Sequence, residues 1–458
     1  CSHYEEEVIL EDMTAHARAY FGTDGVRGRV GEPPLTADFA LRLANAAGRV
    51  LAPNGGTVLI GKDTRLSGYL FESALEAGFV AAGVDVLLIG PLPTPGIACM
   101  TRHFNCHFGV VISASHNRYE DNGIKFFDKN GEKLSDELEA KIESLLEEEP
   151  ITKKSEALGR ASRVDKSRVE YQKFCASTVP GLDLTGMRLV VDCGNGAGFK
   201  VGPRVFTDLG ANVVPVGTAP NGTNINDGCG ATAPELMQLL TKSLKADAGI
   251  AFDGDGDRLI MSDRDGNMID GDQILYILAM AKKDEGTLKG PVVGTLMSNL
   301  GLEIVLTNAG IPFTRAQVGD RYVLELLHKE NGTLGGETSG HVLVLDKATT
   351  GDAIVAALQV LAVMKRTGKS LGELALGMQK FPQVMINVEV KEKGDPSSIP
   401  ELTQAVKVVE TALGNEGRVV LRASGTEPVI RVMVEAREET TARMHAEAVA
   451  KAVRAAKG

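Results

Sequence analysis

The chain reads as an α/β protein: three similar α/β domains with mixed, mostly parallel sheets, plus a smaller C-terminal α+β domain, around a central cleft. Three observations predict this. Short apolar runs alternate with helical stretches in a weak threefold repetition. The last strand segment of each repeat ends in a polar loop, the place where α/β sheets carry their chemistry. Past Phe381-Pro382 the pattern changes to strands and helices of a different order.

The first unit has Thr57–Gly61 as a strand, a helical stretch near 68–82, then Val84–Ile89, and later the run Phe108–Ile112 that delivers Ser113-Ala114-Ser115-His116-Asn117. In the second, Leu189–Asp192, a helical stretch near 199–208 and Asn212–Val216 precede Ala248–Phe252, which delivers Asp253-Gly254-Asp255-Gly256-Asp257-Arg258. The third has Pro291–Gly294, a helical stretch near 300–309, Ile311–Ala316 and a segment from Gly332 that closes on Glu337-Thr338-Ser339-Gly340-His341. Charged Glu147–Lys173 reads as the link between the first two units, and Asp263–Gly266 as a hairpin turn before the third. Strands Val384–Val390, Arg418–Leu421 and Val429–Val434, with a helix near 400–413 and a terminal helix, make the last unit. The expected domains are 13–166 with the serine loop, 167–270 with the aspartate loop, 271–381 with a sugar-binding loop and 382–458 with a phosphate-binding loop. Residues 1–12 show no pattern and read as an extension ahead of Met13.

Composition excludes several classes. A formal net charge of −11 argues against nucleic acid or an anionic membrane as the main partner. No apolar stretch approaches the roughly 20 residues of a membrane span. Cysteines 1, 99, 106, 175, 193 and 229 are dispersed without CxxC spacing, so no zinc knuckle or disulfide scaffold is indicated and the cytoplasm is the default.

The chemistry rests on pairing the first two loops. Three carboxylates at two-residue spacing repel unless a cation joins them, and a hard cation such as Mg²⁺ takes oxygen ligands. A nearby serine hydroxyl could carry a phosphoryl group. The EF-hand alternative fails, because its sixth position is Arg258 rather than glycine and its twelfth is Arg264 rather than glutamate. Ser115 lacks the glycines of a nucleophile elbow, so acyl-transfer chemistry is disfavoured. Lys125 taken alone reads as a surface cation. Glu337 and Ser339 suit sugar hydroxyls, and Arg422-Ala423-Ser424-Gly425-Thr426, followed by Arg431, suits a phosphate held away from the metal.

These four loops in this order resemble the α-D-phosphohexomutases, over the chain from about Tyr20 to the C-terminus. Phe21–Gly28 and Leu345–Asp352 are similar to the branch that handles glucosamine phosphates. The resemblance implies an isomerase that interconverts glucosamine 6-phosphate and glucosamine 1-phosphate through a phosphoserine and a glucosamine 1,6-bisphosphate intermediate. It implies that Ser115 is the phosphoserine and, with Asp253, Asp255 and Asp257, binds Mg²⁺. Arg258 would contact the phosphoserine, Lys125 and His341 would serve acid/base roles, and Arg27 would belong to the N-terminal loop of the site. Glu337 and Ser339 would hold sugar hydroxyls; Arg422, Ser424, Thr426 and Arg431 would hold the distal phosphate. Two positions depart from the family pattern: Arg118 stands where proline is usual, and Thr338 where this branch has glutamine. The implied partner is a small sugar phosphate, and monomer and homodimer stay open. Competing readings are a glucose or mannose phosphate mutase, a Mg²⁺-dependent phosphatase and a silent sugar-phosphate sensor.

Overall fold

The computed structural model describes residues 19–391, 395–423 and 428–457. Its four sheets follow one another along the chain. In the first, Phe108–Ile112, Gly56–Lys62, Val84–Pro91 and Ala161–Arg163 run parallel, while Asp121–Asp128 returns antiparallel beside Phe108–Ile112 and Val26–Arg29 pairs antiparallel with its outer edge. The second sets Ala248–Phe252, Arg188–Asp192 and Asn212–Val216 parallel, with Leu259–Ser262 returning antiparallel. The third sets Leu334–Gly336, Val292–Thr295 and Phe313–Ala316 parallel, with Val342–Val344 returning antiparallel. Each polar loop is therefore the link between a buried parallel strand and its antiparallel return.

That return strand is invisible to a search for parallel α/β repeats, yet it fixes both ends of each loop. Ile112 pairs with Ile124, Phe252 with Leu259, and Gly336 with Val342. Phe108–Ile112 and Ala248–Phe252 are buried along their whole length, as runs covered on both faces must be. Among the helices, Ala353–Thr367 starts at an N-cap, where the Asp352 side chain accepts from the Val355 N–H, and ends at Gly368 with φ 68°.

The segment Glu147–Lys173 is more than a link. Ala161–Arg163 adds an edge strand to the first sheet, and Gly159 lies so close to Val84 that a Cβ there would sit 2.0 Å from the Val84 carbonyl oxygen. The strand's residues are all exposed, so it carries no apolar alternation for the sequence to reveal. The Asp263–Gly266 turn does close a hairpin, Ser262 pairing with Met268, and that hairpin ends the second sheet.

One continuous hydrophobic core runs from the first unit (Leu59, Ile97, Val111) through the second (Val191, Phe252) into the third (Leu302, Leu358). The fourth sheet, Gln383–Glu389, Val429–Ala436 and Gly417–Ala423, is antiparallel throughout and closes a core of its own with helices Pro400–Leu413 and Glu439–Lys457.

Candidate active site

Ser115 is 2% exposed and holds a left-handed backbone, φ 51°, a conformation that side chains other than glycine adopt at a cost of about 1–2 kcal/mol. Its Oγ donates to Asp253 Oδ2 at 2.7 Å, across the joint between the first and second sheets. Behind it, Ser113 Oγ accepts from the Ser115 N–H at 3.0 Å and donates to Asp63 Oδ2 at 2.5 Å. The serine is thus built into the loop from below and aimed at the aspartates.

The three aspartates are buried, with candidate ligand oxygens all within 4.8 Å of one another. Asp253 Oδ1 accepts from the backbone N–H groups of Asp257 and Arg258. Asp255 Oδ2 accepts from Thr94 Oγ1 at 2.7 Å and from Lys125 Nζ at 2.9 Å. Asp255 Oδ1 and Asp257 Oδ1 are buried without a hydrogen-bond partner. Burial, then Asp257 and Asp255, push the Asp253 carboxyl well above the ordinary carboxylate range. Burial would raise Asp255 as well, but Lys125 and the Thr94 hydroxyl hold it below that range. Two orphaned carboxylate oxygens converging with a hydroxyl make a donor set that fits a hard divalent cation.

Lys125 is not a surface cation. It is 4% exposed on the return strand, and its Nζ lies 2.9 Å from both Asp24 Oδ2 and Asp255 Oδ2. From there charges alternate, Asp24 to Lys133 at 2.8 Å, Lys133 to Asp320 at 2.5 Å, Asp320 to His341 at 3.7 Å and His341 to Asp257 at 3.7 Å, and the aspartate cluster itself, with Asp257 and Asp255 oxygens within 4.8 Å, completes the ring. Burial works against charge on His341, yet Asp257, Asp320 and Glu337 lift its imidazole to about 9. Burial likewise opposes charge on Lys125, and Asp24 and Asp255 outweigh it, raising the ammonium. Arg27 also pairs with Asp24.

A cavity of about 460 Å³ opens over this ring. Ser115, Arg258, Arg27, Glu337, His341 and Asp320 line it, so all three polar loops reach one space. Glu337 Oε1 accepts from the Gly319 N–H at 3.1 Å. Ser339 is exposed on the same loop and does not line the cavity. Thr338 Oγ1 donates to Asp272 Oδ2 at 2.8 Å. Arg118 is exposed, with Asp227 at 3.5 Å.

Arg422 and Arg431 are cross-strand neighbours on the fourth sheet, and neither lines the cavity. Ser424 and Thr426 lie outside the described residues. Burial lowers the Arg422 guanidinium, and Arg431 opposite adds to the effect. Like charges directly opposed on a sheet are unfavourable.

Sequence reasoning missed Asp24, Thr94, Lys133 and Asp320. Asp24 sits in the Phe21–Gly28 string and could have been flagged there. The others carry no local motif, because their shortest contacts reach far along the chain: 161 residues from Thr94 to Asp255 and 187 from Lys133 to Asp320. His116 was quoted but given no role; burial, then Arg258 and Arg27, lower it to about 4, so it lines the cavity as a neutral ring.

Four models of the phosphoglucomutase/phosphomannomutase family match in order: alpha/beta/alpha domain I over residues 18–152, domain II over 170–266, domain III over 270–381 and the C-terminal domain over 385–452. The chain belongs to the α-D-phosphohexomutase family. Phosphoglucosamine mutases of Burkholderia pseudomallei and Aeromonas hydrophila are each 54% identical to it, across 96% of this chain and 99% and 100% of theirs. A crystal structure of a phosphoglucomutase/phosphomannomutase family protein from Burkholderia thailandensis superposes with a TM-score of 0.79 at 24% identity, covering 96% of this chain and 98% of that one. This member of the family is an isomerase of the phosphomutase type. No helix among the described residues is long and apolar enough to cross a membrane.

Proposed function

We propose that this phosphohexomutase interconverts glucosamine 6-phosphate and glucosamine 1-phosphate, with Ser115 as the phosphoryl carrier and Mg²⁺ at Asp253, Asp255 and Asp257. The carrying observation is the Ser115 hydroxyl set 2.7 Å from Asp253 at the floor of a cavity that all three polar loops line. The amino-sugar assignment draws on the 54% identical relatives, which are phosphoglucosamine mutases.

The four residues that would hold the ion are Ser115, through its phosphoryl oxygen, and the three aspartates, two of which keep a buried oxygen free for it. Bound there, Mg²⁺ offsets charge on the phosphoryl group in flight. In the first half-reaction the phosphoserine P–Oγ bond breaks and a bond from phosphorus to sugar O1 forms. The proton released by the sugar hydroxyl ends on Ser115 Oγ. Arg258 and Arg27, both on the cavity wall, face the negative charge of the group that moves. His341 and Lys125, whose carboxylate neighbours favour their charged forms, sit at the site as hydrogen-bond donors and candidate acid/base groups.

The product of this step is the 1,6-bisphosphate. It turns over so that its 6-phosphate meets Ser115, and return of that phosphoryl group leaves glucosamine 1-phosphate and a recharged serine. The end not reacting is held by Arg422, Ser424, Thr426 and Arg431, with Glu337 and Ser339 on the hydroxyls between. A cytoplasmic setting agrees with the free thiols of Cys99, Cys106, Cys175, Cys193 and Cys229, all buried.

The substrate assignment is tested by kcat/KM for glucosamine, glucose and mannose 6-phosphates under one condition. Preference for glucosamine 6-phosphate by tenfold or more is expected. Preference for a neutral hexose would overturn the amino-sugar reading and leave the phosphoserine mechanism standing.

A further inference from the structure

The backbone of the serine loop is gripped from two sides. From its own sheet, the fully buried guanidinium of Arg65 donates through Nη2 to the carbonyl of Ser115 at 3.3 Å and to that of Asn117 at 2.6 Å. From the second unit, Asn226 Nδ2 donates to the same two carbonyls, at 2.9 Å and 3.0 Å. Asn226 is 8% exposed and itself left-handed, φ 56°, with its N–H donating to the Gly194 carbonyl at 2.8 Å. The aspartate loop closes the third side: a Cβ on Gly254 would lie 2.6 Å from the Ser115 carbonyl oxygen and 2.7 Å from Asn226 Nδ2. The carboxamide therefore sits where the nucleophile's loop, its own loop and the metal-binding loop meet.

We infer that Asn226 is a positioning residue for phosphoryl transfer: its carboxamide reaches across the joint between two units to hold Ser115 in the left-handed conformation that aims Oγ at Asp253. The inference rests on Ser115 being the phosphoryl carrier. A left-handed serine relaxes unless its surroundings over-determine it, and here two bidentate donors on the carbonyls of Ser115 and Asn117 supply that constraint. Arg65 alone ties the loop to its own sheet. Asn226 adds what Arg65 cannot, a fixed register between the nucleophile and the aspartates of the next unit. The group must be an amide. Both of its N–H bonds meet carbonyl oxygens, so a carboxylate of the same shape would place lone pairs against lone pairs.

Asn226 neither lines the cavity nor belongs to the aspartate cluster, which sets the test. Asn226→Ala and Asn226→Asp are made in the full chain, with Ser115→Ala alongside. Four quantities are read: kcat and KM with glucosamine 6-phosphate, Mg²⁺ affinity by calorimetry, the rate at which sugar discharges phosphate from Ser115 by intact mass, and melting temperature. The expected result is a kcat lower by about tenfold or more in Asn226→Ala, with KM and Mg²⁺ affinity within about twofold of the parent and phosphate discharge slowed by the same factor as kcat. Asn226→Asp, although nearer in size, is expected to be slower than Asn226→Ala, an order that filling of space would reverse.

Unchanged kcat in Asn226→Ala overturns the inference. So does a loss shared equally by metal affinity and melting temperature, or failure of both variants to fold, since Asn226 would then be a structural residue. An active Ser115→Ala enzyme, or phosphate mapped to another residue, is a separate result: it removes the phosphoserine assignment itself.

Discussion

The joint between the first three units and the joint to the fourth are built from different materials. The first three share one hydrophobic core, with Val111, Phe252 and Leu358 in the same buried cluster. The fourth keeps its own core and meets the third unit through polar groups. Arg418 donates to the carbonyls of Leu296 and Ser298 at 2.7 and 2.6 Å and pairs with fully buried Glu435, whose Oε1 accepts from the Leu300 N–H at 3.3 Å. Apolar area sealed between units resists separation in proportion to what is buried. A few directional hydrogen bonds between separate cores permit rigid-body movement about them. The proposed phosphoryl chemistry, which demands a fixed register of Ser115 against three aspartates, lies in the fused part. The group expected to grip a substrate in two orientations lies in the separate part.

This contrast predicts graded losses. Ser115→Ala in the fused part is expected to lower turnover by several orders of magnitude, because among the described residues no other hydroxyl donates to Asp253. Turnover assayed with added glucosamine 1,6-bisphosphate checks it, and near-normal rates would place the carrier elsewhere. Asp255→Asn comes next. It removes a proposed metal ligand and half of the Lys125 pairing, for an expected loss of about 4 kcal/mol or roughly 10³-fold in kcat. Calorimetric Mg²⁺ titration of the same variant should show weakened binding. Intact affinity would mean that Asp255 serves the charge ring alone.

Arg422→Ala carries the test to the separate part, where a loss of about 2–3 kcal/mol in kcat/KM is expected from removing a charge-assisted phosphate contact. Mg²⁺ affinity should stay unchanged, as should phosphorylation of Ser115 by a small phosphoryl donor. A parallel fall in metal affinity would show that the two parts are one mechanical body, and the contrast would fail.

The same contrast explains what was legible in the sequence. Strands that end in Ser115 and Asp253 were readable because each is a short, wholly apolar run followed at once by polar residues, and the loop chemistry is contiguous. The charge ring was not. Lys125 reads as solvated because a lone lysine carries no sign that its strand is buried from Asn122 to Phe127. Lys133 and Asp320 become partners only through the packing of the third unit on the first, 187 residues apart in sequence. Asn226 is one asparagine in a loop of turn formers, where turn chemistry alone accounts for it. Local patterns expose groups that act through their neighbours in sequence, and they conceal groups that act across a joint.

The smallest effect concerns the fused joint itself. Asp352 caps Ala353–Thr367 and accepts from the Tyr171 hydroxyl at 2.7 Å, so a carboxyl of the third unit is sealed against the helix that opens the second. Burial is the main influence on it and raises its pKa from 3.8 to about 6, the Val355 N–H, the Tyr171 hydroxyl and the Ile354 N–H only partly opposing. A carboxyl raised in the folded state binds its proton more tightly there than in the unfolded chain. Its contribution is therefore most favourable at low pH, falls as pH rises from about 4 to about 6, and stays low above that. Two pKa units correspond to about 3 kcal/mol at most. Asp352→Asn has no proton to lose, and its amide can donate to the Tyr171 oxygen while its carbonyl accepts from Val355. Melting temperatures measured from pH 4 to pH 7 should show the variant gaining on the parent across that interval, and then a constant offset. A difference that does not change with pH would mean that water reaches Asp352, and that this joint is looser than its shared core implies.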